Sequence, residues 1–522
     1  MRSVIIPAAG LATRMKPLSR GVSKAMIPVN GRPLISYIIE KIYEKQDVSE
    51  VVIVENELGD IREFVSRVYP DKNIRCYVQE EKLGPLHAID IGYKQLKDFS
   101  SNVTIWLGDT ICLDDFNYNR SFLAVHRVSD PHRWCLVDAD GKLYDKPDGQ
   151  VPTDSAIIGV YNFTDRKAFN HGMEKGMSKP THKGEYQIAA LLESYMKKDG
   201  PMELAFAEEW YDCGELNTYY ESKARLLKRT ARSFNKIEVD TFFGTVTKTS
   251  QDPEKQQKIQ AEKNWFENLD EKQSLFCPRI LKSEAGSLRM TLEPGTALNE
   301  VLVYDNLRTD IWHDIIRKIL KVHHSVFYTN LSFKPKGEEA QLCLEAYYIK
   351  TSNRLEDIWE VLGHRDTELE SFLLDTSLEL VKDPAWSSCM HGDSHLGNII
   401  YDPHSGNIKF VDPRGEFGGF YWNEGDMRYD MAKLLQDFYC GYAMIMANRY
   451  KIEDTTLEID WVPGTQDLSK FLETELHNLG YDVTLLKKLA ILLLVTAIPF
   501  HPDDRKRQTA FYVRAKNLIA QM

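Results

Sequence analysis

The sequence predicts an α/β domain with a mixed sheet, followed by a second domain made of a small β-rich lobe and a larger helical lobe. Three observations predict this. Short β-branched runs alternate with amphipathic stretches through the first 225 or so residues. The pattern restarts after a basic stretch near residues 229–232. From about Asp305 onward helical periodicity dominates. At about 150 residues per domain, a 522-residue chain has room for two large domains. We place them at 1–229 and 230–522, the second divided into a small lobe of about 230–295 and a helical lobe of about 296–522.

In the first half the strand-like runs are Val4–Ile6, Val51–Val54, Val103–Leu107 and Ala156–Tyr161. The helix-like stretches Pro33–Lys45, Leu86–Leu96 and Tyr186–Lys197 lie between them. Strand–helix alternation implies a parallel or mixed sheet with helices on both faces. Asn217–Arg232 reads as a helix that turns basic at its end. In the second half, KIEVD and GTVTKTS read as strands and Lys258–Leu269 as a helix. Leu288–Leu292 reads as another strand, and a loop with a short hairpin interrupts the helices near 389–412.

Composition excludes some classes. Formal net charge is -12, against the basic surface that nucleic-acid binding needs. Nucleotide binding needs only a few local cations and backbone amides. The eight cysteines form no CxxC pair and read as buried free thiols of a reducing compartment. Leu489–Pro499 is too short to span a bilayer and reads as a core helix. The expectation is a cytoplasmic protein with no nucleic-acid or membrane partner.

Strand Val4–Ile6 runs into Pro7-Ala8-Ala9-Gly10-Leu11-Ala12-Thr13-Arg14-Met15-Lys16-Pro17. Small residues after a strand let the backbone approach a phosphate, with Ala9 and Gly10 as candidate nucleotide contacts. Arg14 adds charge to the same turn, and Lys24 precedes Pro28-Val29. Alone, these residues also suit an ordinary strand-to-helix connection. Further motifs follow: Gln79 and Gly84 in QEEKLGPLHA, Leu107-Gly108-Asp109, Asp145-Lys146-Pro147, Gly184-Glu185-Tyr186-Gln187 and Trp210-Tyr211-Asp212-Cys213-Gly214.

In this order, the motifs resemble those of the sugar-1-phosphate nucleotidyltransferases, over roughly residues 1–225. The resemblance implies a Rossmann-like mixed sheet. A sugar phosphate oxygen would attack the α-phosphorus of a nucleoside triphosphate, and pyrophosphate would leave. The nucleophile is already an anion, so catalysis is positioning and charge neutralisation. By resemblance, Arg14 holds the triphosphate and Lys24 bridges the reacting phosphates. Gln79 and Gly84 read the base, Asp109 and Asp212 hold Mg²⁺, and Lys146 binds the substrate phosphate. Three departures stand out: Ala9 and Ala12 replace Gly, Asp145 replaces Glu, and Pro85 follows Gly84 where Leu is common.

The sharpest short motif of the second half is His391-Gly392-Asp393-Ser394-His395-Leu396-Gly397-Asn398. Asp412-Pro413-Arg414-Gly415 follows at the end of a strand. Together these resemble the catalytic loop and metal site of the aminoglycoside phosphotransferase and choline kinase-like family, over about 231–522. That implies a two-lobed protein-kinase-like phosphotransferase domain. Asp393 would orient the acceptor hydroxyl and take its proton, while Asn398 and Asp412 would bind Mg²⁺ on ATP. Lys248 would hold the α/β-phosphates, paired with Glu262. The second carboxylate usual near Asp412 is missing, and Arg414 is placed to hold phosphate or substrate. His391 and His395 read as loop-stabilising.

A kinase makes a phosphate ester and a nucleotidyltransferase consumes one. The expectation is a bifunctional enzyme that takes ATP, a second triphosphate (CTP or UTP) and a small sugar phosphorylated at its anomeric position. Its product would be a nucleotide sugar for surface polysaccharide. One alternative is an amino alcohol such as choline, caged by Phe420, Tyr421 and Trp422 and carried to a CDP-alcohol. Another is a catalytically inactive regulatory or scaffold protein, against which the intact carboxylates argue.

Overall fold

The computed structural model describes residues 1–10, 15, 22–45, 47–98, 101–178, 180, 184–230, 236–240, 242–305, 307–328, 336–420, 423–453, 456–502 and 504–522. The chain divides into two compact units, Met1–Leu227 and Lys228–Met522.

The first unit is a nine-stranded mixed sheet with helices packed on it. Its central path runs Leu143–Asp145, Cys135–Val137, Ser155–Phe163, Asn102–Trp106, Arg2–Pro7, Val48–Glu55, Ile74–Val78. The last four of these are mutually parallel, and Ser155–Phe163 runs antiparallel to Asn102–Trp106. Parallel central strands are covered on both faces, which is why their sequences are almost continuously apolar. Val51, Val52, Ile53 and Val54 are fully buried. Ile5, Val52, Ile89, Ile105, Phe169 and Leu191 belong to one core under the helices.

The strand runs read from the sequence are all strands. The helices run Leu34–Tyr43, Pro85–Lys94 and Ile188–Asp199, within a few residues of the expected spans. The helix read at Asn217–Arg232 runs Leu216–Thr230. Parallel strands Arg2–Pro7 and Asn102–Trp106 end side by side. Their carboxyl ends release Ala8-Ala9-Gly10 and Leu107-Gly108-Asp109 at the same edge, where open α/β sheets form their binding crevice.

The second unit opens with a four-stranded antiparallel sheet ordered Lys236–Asp240, Thr245–Thr249, Ser287–Thr291, Ile280–Glu284. Helix Pro253–Glu267, which starts five residues before the expected Lys258, packs on this sheet. The strand read at Leu288–Leu292 is the inner strand Ser287–Thr291. The rest is helical apart from short pairings, among them the hairpin Ile399–Asp402 with Asn407–Phe410. Helix Val483–Thr496 contains most of the apolar run noted in the sequence and packs against Arg428–Phe438. Among the described residues, no helix is long and apolar enough to cross a membrane. The eight cysteines are free thiols.

Candidate functional site

The first cluster forms where the two central strands end. Lys24 opens a short 3-10 turn, Lys24–Met26. The residue before it, Ser23, is clamped to the start of helix Asp60–Val68. Its N–H donates to Asp60 Oδ2 at 2.7 Å, and its hydroxyl donates to Asp60 and to Asn56 Oδ1. The clamp presents Lys24, whose Nζ lies 2.5 Å from Asp109 Oδ2. Asp109 follows its strand directly. Its carbonyl accepts from Cys213 N–H at 3.1 Å, and the antiparallel pairing sets Asp212 opposite Thr110. Asp109 and Asp212 therefore stand at one edge, with Lys24 paired to Asp109.

Burial pushes the Asp212 carboxyl above its ordinary range. Thr218 and Gly214 hydrogen bonds oppose that rise, and the Asp109 charge adds to it. A buried carboxyl beside a second carboxylate fits a hard divalent cation, which would supply the missing charge. Among the described residues no cluster of three or more His, Cys, Asp or Glu could hold a metal by itself. Substrate phosphate oxygens would have to complete the coordination.

Gln79 is 5% exposed. Its Nε2 donates to Gly84 O at 3.2 Å and lies 3.1 Å from His87 Nδ1. Because a carbonyl only accepts, the NH₂ end of Gln79 faces Gly84 and its oxygen points away from that carbonyl. Gly84 has φ +96 and caps helix Pro85–Lys94, where Pro85 fits because an N–H at the first helical position would have no acceptor within the helix. A Cβ at Gly84 would come within 2.8 Å of Tyr186 O. Leu86 N–H donates to that same oxygen, and Tyr186 N–H to Leu83 O, so segments 83–86 and 184–187 are locked together. Gly84→Ala is expected to cost about 1–3 kcal/mol of stability and to raise KM for the nucleotide. Thermal unfolding and nucleotide titration check both.

Lys146 lies in an exposed turn at φ +46, and its N–H donates to Trp134 O at 3.0 Å. Trp134 packs edge-on against Trp210 at 5.0 Å, at the start of the strand that ends in Asp212. The Lys146 backbone is thus tied to Trp134, whose indole meets that of Trp210. Ala9 is buried and Gly10 exposed at the strand end. Arg14 and Ala12 lie outside the described residues.

The second cluster gathers residues from four segments of the second unit. Lys248, on strand Thr245–Thr249, is 2.7 Å from Glu262 Oε1 on the neighbouring helix and is also ion-paired with Asp412. Lys248 and Glu262 are buried. Asp412 sits at φ +56, just past strand Asn407–Phe410. The turn that follows presses on the Glu262 helix: a Cβ at Gly415, φ +62, would lie 2.2 Å from Ala261 O.

Asn398 Nδ2 donates to Asp393 Oδ2 at 3.2 Å and to Asp393 O at 3.0 Å. Val411 N–H donates to Asn398 O, which joins this loop to the Asp412 strand. Sequence reasoning missed Lys433, whose Nζ lies 3.0 Å from Asp393 Oδ1. It also missed the roles of Asp430 and Asp437. Asp430 accepts from His391 N–H, Gly392 N–H, the Ser394 hydroxyl and the Tyr328 hydroxyl. Asp437 accepts from Leu396 N–H at 2.6 Å. Burial pushes the two carboxyls up to about 6 and about 7. The available signal was their spacing: Asp430, Lys433 and Asp437 recur at one-turn intervals on helix Arg428–Phe438, in a sequence otherwise patterned for burial.

The two histidines act within the loop. His391 lies between Trp265 and Phe410, and burial holds its imidazole down at about 4. Its Nδ1 therefore accepts from Asp393 N–H. His395 Nδ1 accepts from Gly397 N–H. Arg414 donates to the Tyr429 hydroxyl at 2.7 Å and pairs with Glu416 at 3.3 Å. Phe420 lies in the loop after Glu416; Tyr421 and Trp422 lie outside the described residues.

Comparison with known proteins bears on the first unit. Residues 3–229 match the family Nucleotidyl transferase. The chain is 30% identical over 219 residues to the bifunctional protein GlmU of Acholeplasma laidlawii, covering 37% of this chain and 44% of that one. It is 23% identical over 302 residues to UTP--glucose-1-phosphate uridylyltransferase 1 of Staphylococcus saprophyticus, covering 48% and 99%. A solved UDP-glucose pyrophosphorylase complexed with UDP-glucose is 20% identical, covering 44% of this chain and 99% of that one, with a TM-score of 0.39. The chain spans less than half the length of the Acholeplasma relative. The first unit therefore resembles the sugar-1-phosphate nucleotidyltransferases, with their α/β mixed sheet.

Proposed function

We propose that the chain is a bifunctional cytoplasmic enzyme. The second unit transfers the γ-phosphoryl group of ATP to a hydroxyl of a small sugar, and the first unit joins the resulting sugar phosphate to a nucleotide. The observation that carries the kinase half is the convergence of Lys248, Glu262, Asp393, Asn398 and Asp412, five residues spread over 165 positions of sequence. Asp393 accepts the proton of the acceptor hydroxyl as its oxygen attacks the γ-phosphorus and ADP departs. Lys248 holds the α/β-phosphates, and Glu262 holds Lys248. Asn398 and Asp412 would bind Mg²⁺, which neutralises phosphate charge.

In the first unit, an oxygen of the sugar phosphate attacks the α-phosphorus and the bond to the β-phosphate breaks. Lys24 screens the charge between the two reactants. Lys146 binds the substrate phosphate, Ala9 and Gly10 contact the triphosphate, and the resemblance gives Arg14 the same ligand. Asp109 and Asp212 would hold Mg²⁺. The likeness to sugar-1-phosphate transferases supports phosphorylation at the anomeric oxygen, with surface-polysaccharide precursors as the product class.

Gln79 favours some bases over others. With its NH₂ end committed to Gly84 O, it offers an acceptor. Uracil, thymine and guanine present an imino N–H to an acceptor, whereas cytosine presents a lone pair at that position. Cytosine can still offer its amino N–H, so the likeness to sugar-1-phosphate transferases, and not Gln79, supports a nucleotide sugar over a CDP-alcohol. The test incubates the full chain with ATP, UTP, dTTP, GTP, CTP and free sugars and amino alcohols. Mass spectrometry should find a UDP-, dTDP- or GDP-sugar; a CDP-alcohol would overturn the sugar assignment.

A further inference from the structure

Helix Arg428–Phe438 meets the loop around Asp393 through three charged side chains, and they do not do the same thing. Two of them hold backbone. Asp430 accepts from His391 N–H at 2.9 Å, from Gly392 N–H at 2.7 Å and from the Ser394 hydroxyl at 3.1 Å. Asp437 accepts from Leu396 N–H. The loop is therefore gripped on both sides of Asp393. Lys433, between them, meets a side chain instead: its Nζ lies 3.0 Å from Asp393 Oδ1.

The helix is a firm base for that contact. Every residue in it except Lys433 is buried. Arg428 pairs with Asp426 and donates to Leu380 O, and the helix packs against Val483–Thr496. The Lys433 side chain is 17% exposed and that of Asp393 31%, so the pair sits where the buried helix meets accessible space. Burial works to lower the Lys433 ammonium, the Asp393 charge leads what opposes it, and the balance is upward, so Lys433 stays charged.

Stability alone does not explain such a pair. Stripping water from two charges costs about as much as their attraction returns. Loop shape does not explain it either, since Asp430 and Asp437 already hold the backbone. What the pair adds is orientation. Asp393 Oδ2 accepts from Asn398 Nδ2 at 3.2 Å, and Lys433 takes the other oxygen. Held at both oxygens from two segments, the carboxylate has its plane fixed. A carboxylate offers about four acceptor sites, so this hold does not by itself exclude a hydroxyl donor. Without Lys433, Oδ1 loses its restraint and the side chain can populate other rotamers.

We propose that Lys433 is a positioning residue for phosphoryl transfer: it holds the Asp393 carboxylate in the orientation that meets the acceptor hydroxyl, and it acts through Asp393. This rests on the kinase reading of the second unit. The proton passes from the acceptor hydroxyl to Asp393 as that oxygen bonds to the γ-phosphorus and the bond to ADP breaks; Lys433 neither gives nor takes one.

The test is a double-substitution cycle on the full chain, with Lys433→Met, Asp393→Asn and the two combined. ADP release from ATP is read with glucose, galactose, mannose, ethanolamine and choline as acceptors, and kinetics are taken on the one with the largest Asp393-dependent rate. In Lys433→Met, kcat should fall by about 10–100-fold, the cost of a misplaced catalytic group, with KM for ATP within about twofold of wild type. In the Asp393→Asn background the same substitution should change kcat by less than about twofold, because no carboxylate is left to position. Tm should stay close to wild type. If Lys433→Met does not fold, Lys433→Gln takes its place under the same criteria.

The outcomes separate the two readings. Asp393-dependent ADP release that Lys433→Met leaves unaltered overturns the positioning role and leaves the kinase reading standing. A rise in KM for ATP, or a second large fall in kcat on top of Asp393→Asn, would assign Lys433 to the nucleotide and likewise overturn it. Wild type that shows no Asp393-dependent ADP release with any of the acceptors overturns the kinase reading, and this proposal with it.

Discussion

Asp393→Asn is expected to lower ATP-dependent phosphorylation of the acceptor by roughly 10²–10⁴-fold, the range typical of losing a positioned proton acceptor. The loss should fall on kcat. The amide keeps the shape of the carboxylate and leaves Asn398 a partner for its 3.0 Å bond to the Asp393 carbonyl. Two other features keep the loop in place without the Asp393 charge. Asp430 collects three hydrogen bonds along His391–Ser394 and a fourth from the Tyr328 hydroxyl, and Asp437 holds Leu396 N–H. The variant should therefore fold, and it should still transfer nucleotide to a supplied sugar 1-phosphate. ADP release and pyrophosphate release, measured separately on one preparation, distinguish the outcomes. Unchanged ADP release would remove Asp393 from the chemistry. Loss of both activities would point to misfolding.

The sequence made the two-part organisation legible because its periodicity changes. Strand–helix alternation gave the first sheet its strands, since a parallel sheet buried on both faces needs continuous apolar runs such as Val51–Val54. The Lys248–Glu262 pair was legible because strand and helix were both read correctly around it, and the structure joins them at 2.7 Å. What escaped was long-range support. Nothing local marks Ser23 as the residue that aims Lys24, because its partners Asn56 and Asp60 lie more than thirty positions away. Lys433 escaped for a related reason. A lysine on a buried helix reads as a surface charge until the loop it meets is known. Helix starts slipped where charge outweighed apolar pattern. Pro253–Glu267 begins with Pro-Glu-Lys-Gln-Gln, which carries no apolar signal, so the reading began only near its apolar positions. Orientation escaped as well. Gln79 could be matched to a base-reading position, but only the Gly84 carbonyl fixes which end of its amide faces outward.

Asp109→Asn is expected to reduce nucleotidyl transfer by roughly 10²–10³-fold, the loss typical when one preorganised charge-stabilising group is removed from a transition state. The argument is electrostatic. Lys24, at 2.5 Å, and Asp212, across the strand pair, both face the Asp109 carboxylate. Neutralising it weakens one of the two oxygen ligands proposed for Mg²⁺ and leaves Lys24 without its charged partner. It also relieves Asp212, whose carboxyl the Asp109 charge helps push up, so Asp212 should ionise more readily in the variant. Higher Mg²⁺ should then recover part of the rate, because the remaining carboxylate is more fully ionised but the site has lost affinity. The backbone that carries the site should persist, since Cys213 N–H bonds to the Asp109 carbonyl, which the substitution retains. Asp393-dependent ADP release should continue in this variant and deliver a sugar phosphate that accumulates. Accumulation of that ester, followed by mass spectrometry with and without the functional first unit, tests the order of the two steps directly. If no ester builds up when transfer is blocked, the kinase product is not the transferase substrate, and the two activities serve separate reactions.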